Sequence, residues 1–131
     1  MHIIILGAGG VGFHLAKSLS QEGHDIVIID TDPDMIARVG ETLDVMAITG
    51  GGTGMSYLKQ AGIESADMML AVTSTDEVNL LACMIAQRFG VDTKIARVRN
   101  PEYYQDNFVL SPEEMGVDLM NNPEHEAALG M

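Results

Sequence analysis

The stretch that decides the fold is residues 2–12, which read HIIILGAGGVG. Its first five residues, His2–Leu6, form a short apolar, β-branched run that is typical of a strand covered on both faces. Residues 7–12 follow the spacing G-x-G-x-x-G, and a helical apolar period runs from about Gly10 to Glu22. A strand, a glycine-rich turn and a helix in this order predict the opening of a βαβ unit.

Three glycines of this turn have separate predicted roles. Gly7 permits a tight turn, Gly9 lets a pyrophosphate approach the backbone because it has no Cβ, and Gly12 allows the helix to pack closely on the sheet. The anion would lie at the helix N-terminus, where free N–H groups and the helix dipole favour negative charge. Such a pattern alone also fits a plain tight turn, but the flanking strand and helix favour a dinucleotide or nucleotide site.

A carboxylate follows the second predicted strand, Ile26–Ile29. Asp30 stands eighteen residues after Gly12, where a carboxylate accepts hydrogen bonds from ribose hydroxyls and repels a 2′-phosphate. The sequence therefore favours NAD(H) or an adenine nucleotide over NADP(H). Asp32 is either a second ribose contact or the N-cap of the helix that Pro33 opens.

Apolar runs and helical periods alternate along the rest of the chain, with no linker between them. This alternation predicts one domain over residues 1–131 with a Rossmann-like, doubly wound α/β fold, in which a mainly parallel six-stranded sheet has helices on both faces. Further strands are predicted at Val45–Ile48, Asp67–Val72, Lys94–Val98 and Gly116–Met120. Further helices are predicted after Pro33, before Gly62, between Thr75 and Phe89 and after Pro101, followed by a closing segment from Pro123.

Two polar loops follow strands near the glycine turn. Gly50–Gly54 has four glycines in five positions, so its backbone either lies close to a bound ring or another chain, or forms a flexible connection. Thr73 and Ser74 follow the fourth strand and are placed to reach a ligand, although Ser74 or Thr75 also suits a helix cap.

Two arginines stand at the carboxyl end of the fifth predicted strand. Arg97 and Arg99 are two residues apart, so their side chains are predicted to share one face of the sheet. The chain has 7 Lys and Arg against 19 Asp and Glu, and two aligned guanidiniums in so acidic a chain favour a phosphate contact. An ion pair with nearby acids is the alternative.

The charge distribution argues against a polyanionic partner. The net charge is −12, and residues 100–131 contain seven acids and no Lys or Arg. Because Lys and Arg supply most nucleic-acid affinity, nucleic acid is not an expected partner, and anionic lipid is disfavoured for the same reason. No apolar run approaches the ~20 residues that span a bilayer, and no signal peptide is recognised.

The remaining reactive side chains favour structural roles. Cys83, the one cysteine, is predicted to be a small buried hydrophobe and indicates a reducing cytoplasm. His2, His14 and His24 have no metal-ligand spacing with another His or Cys. The chain also has no room for a substrate domain that would hold a hydride acceptor against a nicotinamide.

Five segments of the chain and Asp30 together resemble the N-terminal RCK, or KTN, domain. The segments are Gly7–Gly12, the glycine loop Gly50–Gly54, Leu58–Gly62, Ala66–Leu80 and Ala96–Tyr103. The likeness covers nearly the whole chain, and the run from Thr73 to Asn79 is much more specific than the glycine pattern.

The resemblance implies a regulatory domain rather than an enzyme. Members bind NAD(H), or in relatives ATP and ADP, and ligand exchange changes dimer geometry and the gating of a membrane pore. For this chain it implies a cytoplasmic homodimer or higher oligomer, held at the membrane by a potassium transporter or channel subunit. Members continue into a C-terminal ligand-binding domain, which is expected to be absent from residues 1–131.

The resemblance also implies binding residues. It places Gly7, Gly9 and Gly12 at the pyrophosphate, and many members have Asp at the position of Gly51. It places Asp30 at the adenosine ribose, Gly51–Thr53 beside the adenine, Thr73 beside the nucleotide and Arg99 toward phosphate. The full predicted cofactor set is Gly7, Ala8, Gly9, Gly10, Val11, Gly12, Asp30, Thr31, Asp32, Gly51, Gly52, Thr53, Thr73, Ser74 and Arg99.

Two alternatives to this function remain open at the level of sequence. One is the cofactor-binding fragment of an NAD-dependent dehydrogenase, and the other is an ATP- or ADP-sensing domain with the same fold. An apolar stripe on the long helix is predicted to face the sheet or a partner subunit; it consists of Val78, Leu81, Ala82, Ile85 and Phe89.

Overall fold

The computed structural model describes residues 1–105 and 107–121. The strands are β1 (His2–Leu6), β2 (Asp25–Asp30), β3 (Met46–Thr49), β4 (Met68–Ala71), β5 (Thr93–Arg97) and β6 (Leu119–Asn121). The α-helices are α1 (Gly10–Gln21), α2 (Pro33–Thr42), α3 (Met55–Gln60) and α4 (Asp76–Arg88). Single 3-10 turns lie at Ile63–Ser65 and Pro101–Tyr104.

The strands form one sheet in the order β3-β2-β1-β4-β5-β6, and every neighbouring pair is parallel. The chain starts at β1 in the middle, moves outward to β3 and then returns to β4 on the other side of β1. This reversal leaves a crevice beyond the carboxyl ends of β1 and β4, where open α/β sheets bind ligands. The predicted Rossmann-like, doubly wound fold is confirmed.

The central strand β1 supplies side chains to both faces of the sheet. Ile4 and Leu6 belong to the core cluster that includes α3 and α4, whereas Ile3 and Ile5 belong to the cluster that includes α1 and α2. All four are fully buried. An uninterrupted apolar run in β1 is therefore required, because neither face of the strand meets water.

Two predictions about the second half of the chain are wrong, and a third is met only in part. Pro101 opens only a four-residue 3-10 turn rather than a longer helix. The sixth strand begins at Leu119 rather than Gly116, because Gly116 has φ +69° and belongs to a turn. The predicted stripe on α4 packs against the sheet only in part, since Ala82 is fully buried whereas Leu81 is 46% exposed.

The closing segment from Pro123 lies outside the described residues. Within residues 1–105 and 107–121, no helix has the length and apolar character needed to cross a membrane.

Candidate functional site

A cavity of about 410 Å³ opens beyond the carboxyl ends of β1, β2, β4 and β5. Its wall is formed by the glycine turn, the β2–α2 and β4–α4 connections, part of the β3–α3 loop and the end of β5. The lining residues are Leu6, Gly7, Gly9, Gly10, Val11, Ile29, Asp30, Thr31, Asp32, Met35, Gly50, Gly52, Val72, Thr73, Ser74, Thr75, Val78 and Arg97.

Most of the cofactor residues predicted from sequence line this one cavity. The exceptions are Ala8, Gly12, Gly51, Thr53 and Arg99. Eight lining residues are absent from the predicted cofactor set: Leu6, Ile29, Met35, Gly50, Val72, Thr75, Val78 and Arg97. Six of the eight lie one or two positions from a predicted binding residue. Met35 and Val78 lie on helices, and Val78 was predicted only to face the sheet or a partner subunit.

Gly7 is fixed by its backbone and by its neighbours. Its φ is +104°, a conformation that favours glycine, and a Cβ built on it would lie 2.9 Å from the carbonyl oxygen of Val72. Its N–H donates to the carbonyl of Ile29 at 2.8 Å, which carries the hydrogen bonding of β1 and β2 one step into the turn. The tight-turn role predicted for Gly7 is consistent with this geometry.

Gly12 and Gly9 serve opposite purposes in the same turn. A Cβ on Gly12 would lie 1.7 Å from the carbonyl oxygen of Gly7, so α1 packs against the turn as only glycine allows. No described atom lies within 4 Å of a Cβ built on Gly9 or Gly10, so the cavity side of the turn is open. Among the described residues no side chain caps the N-terminus of α1, which leaves its first N–H groups toward the cavity.

The Asp30 carboxylate joins two turns of the site. Its Oδ2 accepts from the N–H of Ala8 at 2.7 Å, and its Oδ1 accepts from the N–H of Asp32 at 2.8 Å. Ala8 is buried, and its N–H is directed to Asp30 rather than to the cavity. Asp30 therefore holds the glycine turn and the β2–α2 turn in a fixed relation, a role that the strand-end position alone did not indicate.

Asp32 has the capping role that the sequence left as one of two possibilities. Its Oδ1 accepts from the N–H of Asp34 at 2.9 Å, and Pro33 occupies the first turn of α2. Asp32 also lines the cavity, so capping and a ligand contact are both compatible with its position.

The glycines of the β3–α3 loop make room for the protein's own side chains. A Cβ on Gly50 or Gly54 would meet the ring of Tyr57 at 2.5 and 2.9 Å, and one on Gly52 would meet Leu6 at 2.8 Å. Gly51 differs, because no described atom lies within 4 Å of its Cβ position. The loop is therefore packed at three of its glycines and open at one.

A buried amide joins the β4–α4 connection to the end of β5. Asn79 is 0% exposed; its Oδ1 accepts from the N–H and the Oγ1 hydroxyl of Thr73, at 2.9 and 2.7 Å. Its Nδ2 donates to the carbonyls of Thr73 and Arg97, at 3.1 and 2.8 Å. Thr75 is the N-cap residue of α4 but makes no cap bond with its side chain, within the part of the chain that is described.

The two arginines separate at the end of β5. The strand ends at Arg97, so the prediction that Arg99 lies on it is wrong; the N–H of Arg99 instead donates to Asp76 at 3.0 Å. Arg97 lines the cavity, and its buried Nε has no hydrogen-bond partner among the described residues. A buried donor without a partner is unfavourable, so Arg97 is suited to an anion in the cavity.

Cys83 is remote from this chemistry. It is fully buried on α4, as predicted, and burial raises the pKa of its thiol to about 12. The thiol is therefore neutral and unreactive at ordinary pH. Within residues 1–105 and 107–121, no group of His, Cys, Asp and Glu has the arrangement needed to hold a metal ion.

The strand order, the glycine turn at the switch point and the acid at the end of β2 define a Rossmann-like α/β domain of the type that binds nucleotides in other proteins. The particular family follows from a sequence profile that matches residues 3–123: the chain belongs to the TrkA-N domain family.

Similar proteins come from bacteria and archaea. The Trk system potassium uptake protein TrkA of Halomonas elongata is 45% identical over 125 residues, which cover 95% of this chain and 27% of that protein. The Trk system potassium uptake protein TrkA homolog of Archaeoglobus fulgidus is 46% identical over 124 residues, covering 95% of this chain and 28% of that protein. The chain thus spans less than a third of the length of either relative.

Solved structures share the fold at low sequence identity. The TrkA-N domain of the inner membrane protein ybaL from Escherichia coli has a TM-score of 0.83 at 22% identity, with 99% of this chain and 93% of that chain covered. Kef CTD of Shewanella denitrificans in AMP-bound form has 0.77 at 20% identity, covering 98% and 75%. The GsuK channel bound to NAD has 0.74 at 19% identity, covering 93% and 21%.

Proposed function

We propose that this chain is the NAD(H)-binding regulatory domain of a potassium uptake or channel system. The observation that carries the proposal is a single cavity shared by the uncapped N-terminus of α1, the Asp30 carboxylate and the Arg97 guanidinium. Membership of the TrkA-N family and the names of the relatives support the regulatory part of the proposal.

The residues around the cavity fit the two phosphates of a dinucleotide. The first N–H groups of α1 have no acceptor within the helix, and they suit a pyrophosphate because the helix dipole adds positive potential. Gly9 leaves the approach to these groups open. An anion beside Arg97 would satisfy its Nε donor and its charge together. We therefore assign the phosphate contact to Arg97 rather than to Arg99, which lies off the cavity lining.

The adenosine half would lie toward β2 and β3. Asp30 already accepts two amide hydrogens, and each of its carboxylate oxygens has a further lone pair for a ribose hydroxyl. Its negative charge would repel the 2′-phosphate of NADP(H). Thr31, Met35 and Gly52 line this part of the cavity, and Gly51 adjoins Gly52 in the chain with open space at its Cβ position.

Titration calorimetry tests the binding part of the proposal. NADH, NAD⁺, NADPH, ADP and ATP are titrated separately into one preparation, and NAD⁺, ADP and ATP are then titrated in the presence of NADH. We expect NADH or NAD⁺ to bind and to compete with the other, and NADPH to bind more weakly. Absence of heat with all of these compounds would contradict the proposal.

The regulatory part requires a partner and two states. We propose that the domain is a homodimer at the cytoplasmic side of the membrane and that bound nucleotide alters its contact with a potassium transporter or channel subunit. A nucleotide shifts such an equilibrium only through different affinities for the two states, typically about 1–3 kcal/mol. Light scattering that detects only monomer at micromolar concentration would contradict the dimer.

No chemical change of the nucleotide is part of this proposal. NADH incubated with the protein and recovered should be unchanged by chromatography, whereas the cofactor domain of a dehydrogenase should show turnover when joined to its catalytic part. An adenine-nucleotide sensor is a second candidate, favoured by the likeness to a fold that holds AMP in another protein. Tighter binding of ATP or ADP than of either form of NAD would support it.

A further inference from the structure

Asn79 makes four hydrogen bonds beside the cavity but does not line it. We propose that Asn79 is a positioning residue: it sets the β4–α4 connection and the end of β5 at the separation that a bound nucleotide phosphate requires. The inference deepens the proposed function and rests on it. Asn79 is absent from the cavity lining and is 0% exposed, so it acts through its neighbours.

Every hydrogen-bonding valence of the Asn79 amide is used. Oδ1 accepts two hydrogen bonds from Thr73, and Nδ2 donates one bond to the carbonyl of Thr73 and one to that of Arg97. The amide cannot be reversed, because its NH₂ would then face the N–H of Thr73. A fully satisfied buried group of this kind holds its partners in one arrangement.

The two partners of Asn79 come from the carboxyl ends of the neighbouring strands β4 and β5, and both line the cavity. Backbone atoms at Thr73 stand against the glycine turn so closely that a Cβ on Gly7 would lie 3.1 Å from the Cα of Thr73. Arg97 carries the buried Nε that has no partner among the described residues. Displacement of Asn79 would therefore disturb both the connection that packs on the glycine turn and the backbone that carries the Arg97 side chain.

The first turn of α4 reinforces this arrangement just beyond Arg97. The Asp76 carboxylate accepts from the N–H of Arg99 at 3.0 Å and from the N–H of Asn100 at 2.8 Å. One helix turn thus holds the carbonyl of Arg97 through Asn79 and the N–H groups of Arg99 and Asn100 through Asp76. The chain therefore turns away from the sheet after Val98, and the backbone at Arg97 is held in place.

The test compares NADH with adenosine, which lacks phosphate, on Asn79→Ala. We expect the dissociation constant for NADH to rise by about tenfold or more, while that for adenosine changes by less than about threefold. Cys83→Ala is the matched control, because it removes a buried atom from the same helix one turn later without touching Thr73 or Arg97. In the background of Arg97→Met, Asn79→Ala should raise the dissociation constant for NADH by a smaller factor than it does in the unsubstituted protein.

The outcomes separate the inference from the proposed function. NADH affinity within about threefold of the unsubstituted protein, or an equal loss for NADH and adenosine, would overturn the positioning role alone. No NADH binding by the unsubstituted protein would overturn both.

If Asn79→Ala does not fold, nuclear magnetic resonance of the unsubstituted protein gives the answer. The side-chain amide protons of Asn79 should shift with NADH and stay in place with adenosine. No shift with NADH, or the same shift with both compounds, would overturn the inference.

Discussion

Replacing Gly12 by alanine adds one methyl group at the most crowded point of the glycine turn. The new Cβ would lie 1.7 Å from the carbonyl oxygen of Gly7 and 2.8 Å from its carbonyl carbon, both backbone atoms that cannot rotate away. To reach even 3.0 Å, the shortest approach that real Cβ atoms show, the turn and the helix must separate by about 1.3 Å.

The cost follows from the bonds that such a shift breaks. The N–H of Gly7 donates to Ile29 at 2.8 Å, and the buried N–H of Ala8 donates to the charged carboxylate of Asp30 at 2.7 Å. Losing a neutral bond costs about 1 kcal/mol and a charged one about 1.5–3 kcal/mol, whereas alanine gains about 1 kcal/mol of helix propensity over glycine. Gly12→Ala should therefore lower the free energy of unfolding by about 2–4 kcal/mol once residual strain is added.

Urea unfolding followed by circular dichroism measures this difference. Gly10→Ala is the control, because it lies in the same turn of α1 and no described atom lies within 4 Å of its Cβ position. We expect Gly10→Ala to leave stability unchanged or to raise it by about 0.5–1 kcal/mol. Equal stabilities of the two variants would refute the packing argument for Gly12.

Three further predictions concern binding and pH. Gly9→Ala should change the free energy of unfolding by less than about 1 kcal/mol, because its Cβ position is open. It should weaken NADH binding about tenfold or more, because the methyl group blocks the approach of the pyrophosphate. Calorimetry that shows unchanged NADH affinity would contradict this prediction. Asp30→Ala should weaken NADH binding by about 1–3 kcal/mol. Asp25 is an exposed acid at the other end of β2, and Asp25→Ala should leave NADH binding unchanged. Equal NADH affinities of the two variants would show that Asp30 does not contact the nucleotide. Burial raises the pKa of the Cys83 thiol from 9.0 to about 12, so the unfolded chain ionises first as pH rises. The difference in free energy of unfolding between the unsubstituted protein and Cys83→Ala should then be constant below pH 9.0 and fall by at most about 1.4 kcal/mol per pH unit toward pH 12. Urea unfolding that gives the same difference from pH 9.0 to pH 12 would contradict this prediction.

The glycine turn and the acid after β2 are predictable because their signals are local. Gly7, Gly9 and Gly12 follow a strand and open a helix within a few residues, and the strand order then places Asp30 beside them. The second function of Asp30 was not predictable, because accepting from Ala8 depends on how two separate turns face each other.

The end of β5 shows where sequence reasoning fails. Arg97 and Arg99 are equivalent as a pattern, and the resemblance favoured Arg99. What separates them is the first turn of α4, where Asn79 holds the carbonyl of Arg97 and Asp76 turns the chain away. Contacts across some twenty residues of sequence have no signature in the spacing of two arginines.

The glycine loop after β3 has a packing role that its composition did not indicate. Composition predicted either a ligand contact or flexibility; Gly50 and Gly52 line the cavity, and Gly50 and Gly54 also leave room for the ring of Tyr57. Gly52 is small because Leu6, from the central strand, lies beneath it. A glycine in the sequence indicates that another group packs closely on the backbone, and only the tertiary structure identifies that group.

The central claim is that a diphosphate is held by backbone amides at the start of α1. An amide chemical-shift titration of ¹⁵N-labelled protein with NADH tests it residue by residue. We predict that the largest shifts occur at Gly9, Gly10 and Val11 and that Gly9→Ala raises the NADH concentration needed to produce them by about tenfold or more. Saturating NADH that leaves these three amides unmoved would contradict the account.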